Sequence, residues 1–241
     1  MKATSKLFFL TSIACILVAC GGGSDEPQEP ASAESCFDIA TYSLGAPIKQ
    51  QYDDARSNPS GKNLVIGIES TNATFNGISG LLSFWEKITP TTISPMGFGS
   101  SFKTSYLSPI TDRELSIQGS SLSFYGGPYQ SFENVVYSPV LKDKKFNLKQ
   151  GESLRSSVTA EVTTSSLLEP TPVIHNIKIE KEVVFEGRDV VTIGSRSVTA
   201  CRFNYGTHRE WFYRGILIKM DNGNGKTILR TEDLTRDGQP Y

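Results

Sequence analysis

From Ile174 to Phe185 the chain alternates between apolar and polar residues. Ile177, Ile179, Val183 and Phe185 fall on one side of an extended backbone, and Asn176, Lys178, Glu180 and Glu182 on the other. A period of two with one apolar face is the pattern of a half-buried antiparallel strand. Shorter runs rich in β-branched and aromatic residues precede it at Leu64–Glu69, Ile78–Ile88, Ser101–Tyr106, Leu122–Tyr125 and Glu133–Tyr137. Asn76-Gly77 is a hairpin turn signal before the second of these, and Pro139 is expected to close the last. Leu154–Thr164 alternates imperfectly and reads as an edge strand. Arg188–Ile193 and Val198–Tyr205 continue the sheet, and Arg214–Met220 pairs with Lys226–Leu234 around the glycine-rich turn at 221–225. Only Pro47–Arg56 suggests a helix, with Pro59 to stop it. The chain is thus mainly β.

The N-terminus follows a different rule. Lys2 and Lys6 precede an apolar run from Leu7 to Ala19. Thirteen helical residues rise roughly 20 Å, short of a hydrocarbon core of roughly 30 Å. The segment 1–19 therefore reads as a secretion signal rather than a membrane span. It ends in Leu17-Val18-Ala19-Cys20, which resembles the lipobox of bacterial lipoproteins. That resemblance implies cleavage before Cys20, a diacylglycerol on its sulfur, an acyl chain such as palmitate on the new amine, and a membrane anchor. Gly21 stands where an Asp would favour retention in the inner membrane, so the resemblance implies sorting to the outer membrane, with a periplasm-facing lipid anchor, over the inner-membrane alternative.

Residues 21–35 read GGGSDEPQEPASAES and lack any large apolar side chain, so residues 20–35 form a lipidated, flexible tether. Residues 36–241 then make one β-rich domain, long enough to bury a core of its own. The net charge of −1 becomes −3 once Lys2 and Lys6 leave with the signal. No basic patch points to nucleic acid. With Cys15 cleaved away and Cys20 acylated, Cys36 and Cys201 remain, and an oxidising compartment favours a disulfide between them.

Three further stretches resemble β-rich proteobacterial lipoproteins and periplasmic proteins of unknown function, of the DUF3108 type. Thr74-Phe75-Asn76-Gly77 is similar to their TFNG turn. Val191-Thr192-Ile193 through Thr199-Ala200-Cys201-Arg202-Phe203 is similar to their VTVPAGTFTACRF strand–turn–strand, with Gly194-Ser195-Arg196 in place of Pro-Ala-Gly. Trp211 through Gly215-Ile216-Leu217-Ile218-Lys219 is similar to their closing strand. The resemblance implies a single curved antiparallel sheet, an open half-barrel or sandwich, with at most one or two short helices. It implies no catalytic residue.

Candidate chemistry is sparse. His175 and His208 stand apart, with no spacing that suggests a metal site, and no nucleophile elbow is present. Asp221–Glu232 has Asp first and Glu twelfth, but Gly223, Gly225 and Lys226 occupy positions where a calcium loop needs oxygen ligands or a turn glycine, so a hairpin turn is expected. No cofactor is expected. Carboxylates such as Asp53, Asp54, Asp112 and Glu114 would act in catalysis only by converging in one pocket. Aromatics concentrate between Phe98 and Tyr137, and Phe102, Tyr106, Phe124, Tyr125, Tyr129 and Phe132 could form an apolar-ligand face, although the interior of a sheet explains them better. Lys142-Asp143-Lys144-Lys145 reads as a solvated turn. The expectation is a non-enzymatic outer-membrane lipoprotein, a structural or interaction module with an envelope partner. The alternative is a carrier for lipid or another apolar ligand.

Overall fold

The computed structural model describes residues 30–56, 60–91, 99–126, 129–168 and 171–241. The signal 1–19, Cys20, the first part of the tether, Pro59 and Phe98 lie outside them. Twelve strands run in chain order: β1 (Ile48–Asp54), β2 (Gly61–Phe75), β3 (Ile78–Pro90), β4 (Ser100–Leu107), β5 (Leu115–Gly126), β6 (Tyr129–Asp143), β7 (Ser153–Ser166), β8 (Val173–Ile193), β9 (Arg196–Asn204), β10 (Arg209–Tyr213), β11 (Ile216–Asp221) and β12 (Thr227–Arg236). Each pairs antiparallel with its neighbour in sequence, and Gln239–Pro240 adds a short bridge to β12. Three single-turn 3-10 helices, Ala33–Cys36, Ile39–Tyr42 and Lys145–Asn147, complete the described secondary structure.

β1 pairs with β2 on one side and with β12 on the other, so the sheet closes into a twelve-strand antiparallel barrel. This corrects the expectation of an open half-barrel or sandwich. The difference lies in the segment read as a helix, Pro47–Arg56, which is the closing strand. Its inward positions are Ile48, Gln50 and Tyr52, and the glutamine in the middle breaks the apolar alternation that marks a strand. Gln50 is nevertheless buried, with Nε2 donating to the Leu217 carbonyl (2.8 Å) and to Thr231 Oγ1 (2.6 Å) across the seam. Closure leaves no unpaired sheet edge along β1 and β12, which is how barrels avoid edge-to-edge association.

Other boundaries differ in detail. β6 continues through Pro139 to Asp143, with a cis Ser138–Pro139 bond where its register shifts. β7 is an interior strand between β6 and β8 rather than an edge. β8 carries the predicted alternation and runs on through 188–193 as one strand. At the β2–β3 turn Asn76 and Gly77 both take positive φ (47° and 77°), as a tight hairpin reversal requires.

Register separates the two faces of the sheet. Leu154, Val158, Ala160 and Val162 of β7 align with Val183, Ile179, Ile177 and His175 of β8 and point inward. Arg155, Ser157, Thr159 and Glu161 align with Glu182, Glu180, Lys178 and Asn176 and point outward. Along β7 and β8 the outer face is therefore polar and charged, and the inner one mostly apolar.

One end of the barrel is plugged. Residues 31–33 bond to 148–150 through Ala33 N–H to the Leu148 carbonyl (2.9 Å) and Gln150 N–H to the Ala31 carbonyl (2.8 Å), so the fold starts a few residues before Cys36. From there Phe37, Tyr42 and Phe146 reach strands on opposite sides of the barrel. Tyr42 lies 5.3 Å from the Phe84 ring of β3, and Phe146 meets Phe203 of β9 and Phe212 of β10 edge-on at 5.8 and 5.7 Å. Edge-to-face packing of this kind adds to the area it buries. Cys36 and Cys201 are joined by a disulfide, Cα–Cα 5.9 Å, which fixes the plug to β9.

Candidate binding site in the barrel interior

Above the plug the lumen is not filled. A cavity of about 550 Å³ is bounded by Ile117, Leu141, Leu154 and Val183 on its apolar side and by Lys145, Lys181, Tyr205 and Glu210 among its polar groups. A second cavity of about 280 Å³ is more apolar, bounded by Tyr52, Leu64, Phe84, Ile88, Phe212 and Leu217. Volumes of this order suit a small organic ligand.

The polar groups are held in place by the plug and by the β9–β10 turn. Lys145 is buried inside the barrel, with Nζ 2.5 Å from Asp143 Oδ2 and lying over the Phe146 and Phe212 rings at 4.9 and 4.5 Å. Burial pushes the Asp143 carboxyl up. The Lys145 ammonium, its hydrogen bond and the Lys145 backbone amide outweigh that and hold it below the usual carboxylate range. A lysine that reads as part of a solvated basic run is thus an interior group. Lys142 and Lys144, its companions in that run, point instead to Glu114 at 3.4 and 2.6 Å.

Across the cavity the turn folds back on itself: Tyr205 N–H donates to the His208 carbonyl (3.0 Å), and the two rings stack at 4.9 Å. His208 Nε2 lies 3.2 Å from Glu210 Oε1, and the Tyr205 hydroxyl also bonds to Glu210. Burial, with the Glu210 and Asp143 carboxylates nearby, pushes the Tyr205 phenol far above its ordinary range, so it stays a neutral donor. Tyr205 reads only as the end of a strand and His208 as a lone histidine, and Glu210 gives no signal of its own, because a polar turn between strands reads as solvent-facing.

The aromatic candidates do not form one face. Phe102, Tyr106, Tyr125 and Phe132 share the outward side by register, whereas Phe124 is on the other side of β5. Phe102 stacks on Trp85 at 6.0 Å and Tyr106 on Phe75 at 4.3 Å. None of the five bounds either cavity, and the Tyr129 side chain lies outside the described residues. The aromatic cluster that shapes the lumen is a different one: Phe37, Tyr42, Phe146, Phe185, Phe203 and Phe212.

The remaining candidates are dispersed. Asp54 is bonded to Arg56 (2.8 Å), Asp53 points outward in β1, Asp112 is exposed, and Glu114 is tied to lysines. His175 sits in β8 opposite Val162. At 221–225 the Asp221 carboxylate accepts from Gly223 N–H (2.8 Å) and the Asn222 side chain from Asn224 and Lys226 N–H, which is a hairpin turn. Among the described residues no group of three or more His, Cys, Asp or Glu side chains is arranged to hold a metal ion. The fold and its interior define a plugged antiparallel β-barrel with a partly polar lumen. No family model matches the chain, and no curated protein or solved structure is found similar to it.

Proposed function

We propose that this chain is a lipoprotein held at the outer membrane through Cys20, and that its barrel is a binding or carrier module for a small apolar or amphipathic ligand. The lumen supports the reading: a closed wall, a plugged floor and two cavities whose walls combine aliphatic, aromatic and a few buried polar groups. The lipobox Leu17–Cys20 supports the anchor. A ligand bound only by the folded barrel stabilises it by about 2.7 kcal/mol at a hundred times its Kd.

The test uses a full chain with Cys20→Ser, exported and purified without detergent. N-phenyl-1-naphthylamine fluorescence should rise saturably, and Leu217→Trp, which fills the smaller cavity, should abolish the part of that signal arising there. Absence of saturable binding in the unfilled barrel overturns the reading. Mass spectrometry of metabolic palmitate label on wild type against Cys20→Ser tests the anchor separately.

A second reading, an interaction module, draws on one observation. Leu167, Leu168, Val173 and Ile174, at the β7–β8 end, are all more than half exposed. Exposed aliphatics concentrated on one hairpin suit a protein contact. Crosslinking in membranes from a photoreactive residue at 168 should capture a discrete envelope protein if this role holds, and give only uncrosslinked chain if it does not.

A further inference from the structure

The charges around the larger cavity are unevenly matched. Asp143 and Lys145 neutralise each other inside the wall. At its margin Lys142 is paired with Glu114 (3.4 Å), Glu180 with Lys178 (2.5 Å) and Glu182 with Arg155 (3.0 Å). Two charged groups facing the cavity make no direct contact with an oppositely charged lysine, arginine, aspartate or glutamate among the described residues. Lys181 projects inward from β8 opposite Ser156 and makes no direct ion pair, its charge reaching Asp143, which Lys145 already holds. Glu210 of β10 is bonded to the Tyr205 phenol and the His208 imidazole, and Arg56 is a cation that its charge reaches only at longer range. A cation and an anion thus face one space from strands on either side of β9, next to the aliphatic wall of Ile117, Leu141, Leu154 and Val183.

We infer that the larger cavity takes an amphiphile with a zwitterionic polar group, its anionic part at Lys181 and its cationic part at Glu210. The inference rests on the binding role proposed above. A ligand with one net charge satisfies one of the two residues and sets its charge against the other, which costs affinity where water is partly excluded. A zwitterion satisfies both, and its chain lies along the aliphatic wall.

Four dodecyl amphiphiles below their micelle concentrations test this by displacing N-phenyl-1-naphthylamine from the detergent-free full chain carrying Cys20→Ser. They are dodecylphosphocholine, laurate, dodecyltrimethylammonium and dodecyl maltoside. The zwitterion should bind about tenfold more tightly than either singly charged probe. Glu210→Gln should selectively improve laurate, and Lys181→Met should selectively improve dodecyltrimethylammonium, whereas Lys181→Arg should keep the wild-type order. Thermal melts of each variant establish that the barrel is folded. Equal affinities in wild type, or an order that neither variant changes, overturn the inference while leaving the binding role intact. Failure of the apolar probe and all four amphiphiles to bind removes both.

Discussion

Lys145 is the clearest case of a residue whose role depends on closure of the barrel. Its ammonium lies between two aromatic rings and against Asp143, a setting that attracts a cation but leaves the carboxylate dependent on it. Lys145→Met keeps the stem and strands Asp143, and unfolding in urea should show a loss of about 3 kcal/mol. Adding Asp143→Asn should recover part of it in a double-mutant cycle. The pH dependence has a definite sign. Because the folded carboxyl titrates below its unfolded value, the pair contributes in full above about pH 4 and fades as pH falls through the folded value. The stability difference between wild type and Lys145→Met, followed by urea unfolding from pH 7 to pH 2.5, should therefore shrink in the acid range. A second residue-scale prediction concerns Gly119 in β5. A Cβ there would lie 2.2 Å from the Val135 carbonyl oxygen and 2.4 Å from the Phe75 ring. Neither strand has slack, so Gly119→Ala should cost about 2 kcal/mol by the same unfolding measurement, in the range of overpacked sites.

At the scale of elements, what could be read from the chain depended on whether inward positions were apolar. β8 was legible because Ile177, Ile179, Val183 and Phe185 repeat every second residue, and the register puts them on one face. β1 was hidden because Gln50 interrupts its inward face, and without β1 the sheet has two edges and reads as open. The polar wall of the lumen was hidden for a related reason: Lys145 opens a single 3-10 turn and Tyr205 and Glu210 flank the β9–β10 turn, places where polar residues are expected to face water. The aromatic-rich stretch failed in the opposite way, since alternation along β4–β6 splits it between faces. The plug was legible only through its cysteines. Its Cys36–Cys201 bond closes a separation of 165 residues, for which chain-entropy models give up about 5 kcal/mol. Cys36→Ser with Cys201→Ser should thus lose several kcal/mol in thermal or urea unfolding. Reductant in denaturant should bring wild type to the same level, and a midpoint unchanged by either treatment would show that packing alone holds the plug.

For the whole molecule, closure and plugging make stability uneven around the barrel. The seam of β1 with β2, β11 and β12 is backed by a continuous cluster that includes Ile48, Ile66, Ile216, Ile218 and Leu234. The plug ties β9 and β10 to β3 through rings that cross the lumen. By contrast, the β7–β8 end projects Leu167, Leu168, Val173 and Ile174 into solvent and has no such backing. Segments with few buried contacts open first, and cooperative units follow packing rather than strand order. Amide exchange read by mass spectrometry should therefore show early exchange at 167–168 and 171–174 and late exchange along β1, β9, β11 and β12. In the serine pair, residues 31–42 should lose protection along with the inner halves of β9 and β10, because the strap that holds Phe37 and Tyr42 over the lumen is no longer fixed. β6, the body of β7 and residues 173–182 of β8 should keep theirs, since only Leu154, Val183 and Phe185 of those strands pack on the plug cluster. Uniform loss around the whole barrel would instead mean that plug and wall fold as one unit. The cavities would then exist only when the disulfide is closed, and ligand binding and oxidation would be coupled.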